Sequence, residues 1–298
     1  MDKILTYIAA EADDGQTLGT VLRSGLGLTA RQGKQVKFLP DGLFINGERF
    51  RDGRLVTTRT IVRKDDHIRV KFQEKPETVV PFAGELAIVY EDEDILVINK
   101  GANVPIHPSK GYEESSLANG VMHYYEKQGV PFVFRSVNRL DQNTTGLVIV
   151  AKNMFSGAIL CESMRKREIH RTYLAITEGE IPENGTITFP IGRREGSAVE
   201  RCIDENGQSA VTHYEKVSYA NGHSLAKIQL ETGRTHQIRL HMRAIGHPLP
   251  ADALYNPNFS MIDRHALHSW KLEFPHPITK EIMSFEQELP EDMRKVLE

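Results

Sequence analysis

The sequence has few cysteines, no long apolar run and no large excess of one charge. Only two cysteines, Cys161 and Cys202, occur in 298 residues, and their separation fits neither a disulfide framework nor a thiolate zinc site. Charged residues interrupt every apolar stretch well before the ~20 residues that a membrane-spanning helix needs. Residues 1–12 carry acids where a secretory signal would carry a basic flank and an apolar run. We therefore expect a protein of the cytoplasm without membrane contact.

Positive charge is concentrated towards the amino terminus. The formal net charge of -3 for the whole chain argues against a protein that coats nucleic acid indiscriminately. Residues 16–72, however, contain twelve Lys or Arg and five Asp or Glu, which leaves a local net charge of +7. Such a surface suits contact with RNA phosphates, and it is equally the composition of an ordinary solvated face.

The composition divides the chain into two units, residues 1–75 and 76–298. Residues 73–81 hold prolines, glutamates and a lysine with little apolar content, which is typical of a linker. We therefore place the domain boundary within this segment.

The first unit is predicted to be a small α+β domain. Residues 16–25 predict a helix, and a second element begins near Thr29. Alternating apolar and polar residues predict strands at 43–46 and 67–72, and the Asn46-Gly47 pair predicts a tight turn.

The second unit is predicted to be α+β with a predominantly antiparallel or mixed sheet. Asn153 can cap a helix that runs to about Glu168, and a second helix is predicted over residues 235–244, ended by Gly246. A short helix is expected at the carboxy terminus. The predicted strands cover residues 86–90, 95–99, 147–151, 171–178, 186–191, 210–219, 224–231, 265–274 and 282–287.

The densest polar segment, residues 138–146 (N-R-L-D-Q-N-T-T-G), lies directly before a predicted buried strand. Hydrogen bonds from the backbone and hydroxyl groups of Thr-Thr-Gly can hold the carboxylate of Asp141 rigidly, which leaves Arg139 free to project. The alternative is an ordinary polar turn, since turns of this kind are common.

Two further segments carry candidate residues. Residues 231–241 (E-T-G-R-T-H-Q-I-R-L-H) enter the second helix, and Arg234, just before it, can pair with a carboxylate from another loop and keep it ionised. Residues 171–175 (R-T-Y-L-A) open a strand, where Tyr173 can lie flat against a nucleobase. Taken singly, Arg234 is equally a surface arginine and Tyr173 a packing residue.

Taken together in their order along the chain, the three segments resemble the RluA family of RNA pseudouridine synthases. That family carries R-L-D-x-x-T-S-G before a strand, then K-T-Y-x-A, then G-R-T-H-Q-I-R-x-H followed by G-H-P. This chain has R-L-D-Q-N-T-T-G, R-T-Y-L-A, G-R-T-H-Q-I-R-L-H and, at 246–248, G-H-P, and the match extends over residues 85–287. The first unit resembles a degenerate S4 RNA-binding domain through F-I-N-G at 44–47 and D-H-I-R-V at 66–70.

The resemblance implies that the chain isomerises uridine to pseudouridine in structured RNA. Asp141 is the implied catalytic carboxylate, which either attacks the sugar carbon or assists departure of the base. Arg234 is expected to keep Asp141 ionised, and Tyr173 to contact the base or help remove its C5 proton. A base inside a stacked helix must be flipped out, and Arg139 is the candidate to fill the gap.

The resemblance also implies three neighbouring substrate-binding residues, His236, Gln237 and Ile238. Ile238 matches a family position that lines the base pocket, although its apolar helical spacing fits a core role equally well. His236 and Gln237 belong to the same motif and are assigned to the substrate with it.

This reaction needs no metal and no organic cofactor. The histidines of the carboxy-terminal half, among them His236, His241 and His265, have neither the H-E-x-x-H spacing nor that of a zinc finger. The expected partner is RNA, with ribosomal RNA favoured over transfer RNA. A monomer suffices, because all three motifs lie on one chain.

Two other functions stay open from the sequence. A non-catalytic RNA-binding or ribosome-assembly protein would use the basic first unit, but it would not need Asp141, Tyr173 and Arg234 together. An enzyme that hydrolyses the glycosidic bond of free nucleosides would use a carboxylate but not the basic unit. Activity on free uridine would identify this second alternative.

Overall fold

The computed structural model describes residues 3–39, 41–73 and 79–298, and these form an α+β structure, as predicted. A small sheet near the amino terminus precedes a large mixed sheet. The predicted linker includes residues 74–78, which lie outside the described residues, so the boundary between the two units stays a prediction.

The amino-terminal unit combines two short helices with a small antiparallel sheet. Its elements are β1 (Lys3–Ile8), a 3-10 turn (Glu11–Asp13), α1 (Leu18–Ser24), α2 (Ala30–Lys37), β2 (Leu43–Ile45), β3 (Phe50–Arg51), β4 (Arg54–Leu55) and β5 (His67–Phe72). Strand β5 lies between β1 and β2. Thr17 and Thr29 accept hydrogen bonds from the NH groups of Thr20 and Gln32, so a threonine caps the first turn of each helix. The helix predicted at residues 16–25 is therefore present as α1, and the element expected to begin near Thr29 is the helix α2.

The larger unit is built on a sheet of nine described strands. The described strands of this unit are β6 (Ala87–Glu91), β7 (Ile95–Lys100), β8 (Thr145–Ala151), β9 (His170–Glu178), β10 (Asn184–Ile187), β11 (Ile191–Arg193), β12 (Arg201–Ile203), β13 (Thr212–Ala220), β14 (His223–Leu230), β15 (Leu267–Pro275) and β16 (Ile282–Glu286). Of these, β11 and β12 form a separate hairpin outside the sheet. The order is β10-β13-β14-β9-β15-β8-β7-β6, and β16 also pairs with β15. Strands β8 and β15 run parallel, whereas their other neighbours run antiparallel. The predicted mixed sheet is confirmed.

The helices of the larger unit, as far as it is described, are α3 (Leu117–Lys127), α4 (Met154–Arg165), α5 (Gln237–Ala244) and α6 (Glu291–Leu297). Asn153 accepts a hydrogen bond from the NH of Ser156, which confirms the predicted cap of α4. Helix α5 begins later than predicted because His236 has a left-handed backbone, with φ of 59°. The sequence did not predict α3, because its Asn119-Gly120 pair is typical of a turn.

Among the described helices, none combines the length and the apolar character that crossing a membrane requires.

Helix α4 joins the two units. Its Phe155 is buried in the core of the amino-terminal unit, with its ring centroid 5.4 Å from that of Phe72. Lys3 of β1 adds an ion pair, with Nζ 2.9 Å from Asp94 Oδ2. These contacts hold the basic unit against the unit that carries the predicted site.

Candidate active site

Asp141 lies in the loop directly before β8, as the sequence predicted. The loop enters β8 where this strand pairs in parallel with β15, at Gly146 and Ser269. Gly146 has φ of +108°, and a Cβ there would lie 2.3 Å from the carbonyl oxygen of Ser269. A glycine is therefore required for the two strands to approach, and their pairing fixes one end of the loop.

Lys100 holds the loop from the end of β7. Its side chain is buried, and Nζ donates hydrogen bonds of 2.8, 2.8 and 2.9 Å to the carbonyl oxygens of Gly101, Val104 and Gln142. Burial lowers the pKa of Lys100 to about 7. This lysine was not predicted as part of the site, because a lysine that ends an apolar strand is usually exposed.

Arg264 and His265 hold the same loop from the segment before β15. Arg264 Nη1 donates to the carbonyl oxygen of Asn143 at 3.3 Å, and His265 Nε2 lies 2.8 Å from Thr144 Oγ1. Both side chains are buried. Burial lowers the pKa of His265 to about 4, so its imidazole is neutral at neutral pH. The loop is thus fixed by contacts from distant parts of the chain as well as by its own turn.

Arg239, and not Arg234, forms the ion pair with Asp141. Arg239 Nη1 lies 2.9 Å from Asp141 Oδ2. The same guanidinium binds both carboxylate oxygens of Asp252, through Nε at 2.7 Å and Nη2 at 2.6 Å. Arg234 precedes α5, and its Nε donates instead to the carbonyl oxygen of Ser209 at 3.0 Å. The predicted pairing of Arg234 with Asp141 is wrong, because α5 directs a later arginine of the motif at the carboxylate.

The surroundings of Asp141 keep its carboxylate ionised. The side chain is 24% exposed, and burial by itself raises its pKa. The charges of His236 and Arg239 and the hydrogen bond from Arg239 outweigh burial, and they hold the pKa of Asp141 below its ordinary value of 3.8. Because burial lowers the pKa of His236, Arg239 is the cation that persists at neutral pH.

His236 lies next to Asp141 at the start of α5. Its Nε2 is 3.8 Å from Asp141 Oδ2, and its Nδ1 is 2.8 Å from the hydroxyl oxygen of Tyr255. The left-handed backbone of His236 directs the ring to this position. His236 therefore lines the pocket, and its predicted contact with the substrate stays a prediction.

The amide of Gln237 is fully used within the protein. Its Oε1 accepts hydrogen bonds from Thr232 Oγ1 at 2.8 Å and from the NH of Arg234 at 3.0 Å. Its Nε2 donates to Val211 O at 3.0 Å and to Thr212 Oγ1 at 2.9 Å. No donor remains for a substrate, so we correct its predicted role from substrate binding to holding this segment in place.

A pocket of about 60 Å³ opens at Asp141. Tyr173 and Ile238 line it and are each 4% exposed. Burial raises the pKa of Tyr173, which keeps the phenol protonated. Ile238 also belongs to the main hydrophobic core, so its position agrees with both roles predicted for it. The pocket is lined by Arg139, Leu140, Asp141, Thr144, Tyr173, Leu230, Arg234, His236, Gln237, Ile238, Arg239 and Leu267.

Exposed arginines lie at the mouth of this pocket. Arg139 and Arg234 are both exposed, and within the described parts of the chain neither forms an ion pair. The site thus combines an ionised carboxylate, apolar walls and a cationic mouth. In the described ranges, no group of three or more His, Cys, Asp or Glu side chains is arranged to hold a metal ion.

Comparison with known proteins identifies the family. The profile of the RNA pseudouridylate synthase family matches residues 94–244. YjbO of Bacillus subtilis, an uncharacterized RNA pseudouridine synthase, is 40% identical over 275 residues, or 91% of this chain and 95% of that protein. Ribosomal large subunit pseudouridine synthase D of Escherichia coli K12 is 38% identical over 229 residues, or 72% of this chain and 70% of that protein.

A solved structure agrees with this similarity in sequence. Human RNA pseudouridylate synthase domain containing 1 is similar with a TM-score of 0.59 and 27% identity, over 72% of this chain and 86% of that chain. The chain therefore belongs to the RNA pseudouridylate synthase family, as its three motifs predicted.

Proposed function

We propose that this chain isomerises specific uridines to pseudouridine in large-subunit ribosomal RNA, with Asp141 as the catalytic carboxylate. The observation that carries the proposal is the ionised Asp141 in a small pocket, bound by Arg239. Membership of the family supports the reaction. The similarity to the Escherichia coli enzyme named for the large ribosomal subunit supports the target, and transfer RNA is the alternative.

The reaction replaces one bond to the sugar by another. The bond between N1 of uracil and C1′ of ribose breaks, the base rotates while it stays bound, and C5 bonds to C1′. The proton on C5 is lost and N1 gains a proton, so the product is an isomer of the substrate. Asp141 either attacks C1′ or assists departure of the base, and both roles need the ionised carboxylate that Arg239 maintains.

Tyr173 and Ile238 keep the detached base in place. Both are buried walls of the pocket next to Asp141. An aromatic face and an aliphatic side chain can hold a planar ring and still let it rotate in its own plane. The reaction requires this rotation, because C5 has to reach C1′. These apolar walls also keep water away from the base, which favours return of the base to C1′ over hydrolysis.

Arg139 and Arg234 act on the RNA at the mouth of the pocket. The target uridine has to leave its base stack to reach Asp141, and unstacking costs a few kcal/mol. The exposed guanidinium of Arg139 can stack in the space that the base leaves and stay close to phosphates. Arg234 is not needed to ionise Asp141, so we assign it to binding of the RNA backbone.

We also assign RNA contact to the amino-terminal unit, which we predict to be S4-like. Residues 16–72 carry the local net charge of +7, and Arg23 and Lys34 are exposed on α1 and α2. Because α4 packs this unit against the larger one, it extends the binding surface away from the target uridine. All proposed site residues lie on one chain, so a monomer suffices, and a ribosomal RNA substrate places the protein in the cytoplasm.

Pseudouridine mapping of total RNA tests this proposal. The cells to compare contain the wild-type protein, no protein, or Asp141→Asn. We expect the same one or few sites of large-subunit RNA to lack pseudouridine in both defective strains. If the pseudouridine that is lost lies in transfer RNA instead, transfer RNA and not ribosomal RNA is the substrate.

An unchanged map would overturn the catalytic proposal. It would do so most clearly if cells without the protein had a ribosome-assembly defect that Asp141→Asn corrects as well as the wild type does. That result would favour a non-catalytic RNA-binding protein. Conversion of free uridine by the purified protein would favour an enzyme of nucleosides.

A further inference from the structure

A second cleft adjoins the Asp141 pocket. It measures about 450 Å³, and we call it the Arg171 cleft after the residue of β9 that lines it. Four residues, Arg139, Tyr173, Leu230 and Arg234, line both the pocket and the cleft. A strand with one nucleotide in the pocket would therefore continue into the cleft.

The Arg171 cleft is strongly basic. Its arginines are Arg139, Arg165, Arg167, Arg171 and Arg234, and its lining includes one acidic residue, Glu231. Arg165 and Arg167 are paired with glutamates. The other three arginines form no ion pair to any residue that the structure describes. The cleft thus has a surplus of positive charge that an anionic ligand would neutralise.

The guanidinium of Arg171 packs against the protein backbone, but its Nε has no hydrogen-bond partner. Arg171 lies two residues before Tyr173 on β9, so the two side chains project from the same face. The guanidinium lies against the backbone of Gly233, where a Cβ would be 2.8 Å from Nη1. Nε is buried and has no hydrogen-bond partner. A buried charged donor without an acceptor costs free energy unless a ligand supplies the acceptor.

We propose that the Arg171 cleft is a phosphate subsite, in which Arg171 binds the phosphodiester next to the target nucleotide. The inference rests on the proposed function, because an RNA strand places this anion beside the uridine. A guanidinium donates two parallel hydrogen bonds to phosphate oxygens, which fixes the strand as well as attracting it. The subsite sets which way the flipped nucleotide enters the pocket.

Salt-dependent binding tests the subsite. The variants are Arg171→Gln, Arg171→Lys and, as a control with the same loss of charge, Arg294→Gln on α6, outside the cleft. The probe is unmodified large-subunit ribosomal RNA transcribed in vitro, with excess polyadenylate to occupy non-specific sites. The dissociation constant is measured by filter binding at several salt concentrations.

Arg171→Gln is expected to weaken binding about tenfold at fixed salt, the effect of a lost charge-assisted hydrogen bond. It should reduce the slope of log affinity against log salt by about 0.7 to 0.9, the value of one lost phosphate contact. Arg171→Lys should keep the wild-type slope, and Arg294→Gln should match the wild type in both.

Two results would overturn the subsite. The first is a salt dependence of Arg171→Gln with the same slope as that of Arg294→Gln. The second is an equal loss of affinity in Arg171→Gln and Arg171→Lys with no change in slope, which would mean that Arg171 acts through packing and not through a phosphate contact. Binding is measured without turnover, so this readout does not depend on isomerisation. Pseudouridine formed in the same RNA by the wild type and by Asp141→Asn tests the proposed function separately.

Discussion

The arginines around the Asp141 pocket form two sets. The inner set, Arg239 and Arg264, is buried and bound to carboxylates of the protein, with Arg264 Nε 2.7 Å from Asp292. The outer set, Arg139, Arg171 and Arg234, has no ion pair among the residues with described structure. A buried guanidinium costs free energy unless carboxylates of the protein pair with it. The inner set therefore shapes the site, and the outer set remains available to a polyanionic substrate.

The inner set explains how a single arginine both orients and ionises Asp141. Asp252 binds Arg239 through two hydrogen bonds, which leaves Nη1 directed at Asp141. Because Asp252 is 1% exposed, we expect this orientation to persist when RNA enters or leaves. Replacing inner and outer residues in matched pairs should therefore separate catalysis and stability from RNA affinity.

The largest effect is expected from Asp141→Asn. The amide keeps the shape of the side chain but has no negative charge for the sugar, so the single-turnover rate should fall by roughly 10³-fold or more. The dissociation constant for RNA should change by less than about threefold, because the outer arginines are intact. Weaker binding together with a normal rate for bound RNA would contradict this division.

Arg239→Met should have the largest effect on stability. It leaves Asp141 and Asp252 without their cation, and removing one partner of a buried ion pair costs about 3–5 kcal/mol. The matched outer variant, Arg234→Met, should change the free energy of unfolding by less than about 0.5 kcal/mol. Urea unfolding measures both, and equal losses would remove the distinction between the two sets.

Arg139→Gln should lower affinity and leave the fold intact. Loss of the stacking guanidinium should weaken RNA binding about tenfold, while the free energy of unfolding stays within about 0.5 kcal/mol of the wild type. Binding and urea titrations test this. Arg294→Gln is the matched control, and an equal loss of affinity in that variant would show a general effect of charge.

The smallest effect concerns pH. Asp141 has a pKa below 3.8, so its charged form is present above that value and is lost as pH falls through it. At saturating RNA, this carboxylate should cause less than about a twofold fall in rate between pH 8 and pH 5. A half-maximal rate near pH 6 that moves in Arg239→Lys would show that Asp141 is not held ionised.

The sequence predicted the position of Asp141 but not its partner. A polar loop before an apolar strand is a local pattern, and Gly146 and Thr145 belong to the same motif. The choice between Arg234 and Arg239 depends on where α5 begins, and this follows from the left-handed backbone of His236. Histidine is enriched in that conformation but adopts it only rarely, so a single sequence does not predict it at one particular histidine.

The supporting side chains were harder to predict because they come from distant parts of the chain. Lys100 and Arg264 contact the Asp141 loop from positions about 40 and 120 residues away. Helix α3 was missed because Asn119 uses its side chain to accept from the NH of Ser116, which turns a typical turn residue into part of a helix cap. Most strands predicted for the larger unit lie within a few residues of the observed ones, but residues 186–191 include the end of β10 and the start of β11 instead of one strand, and β1 was not predicted.

The turnover rates of Arg239→Gln and Arg234→Gln at saturating RNA test the central claim most directly. Both variants lose one guanidinium from the same motif, and pseudouridine formed in one transcript is measured for both. We expect Arg239→Gln to lower the rate by roughly 100-fold or more and Arg234→Gln to leave it within about threefold while raising KM. A normal rate for Arg239→Gln with a large loss for Arg234→Gln would contradict the account.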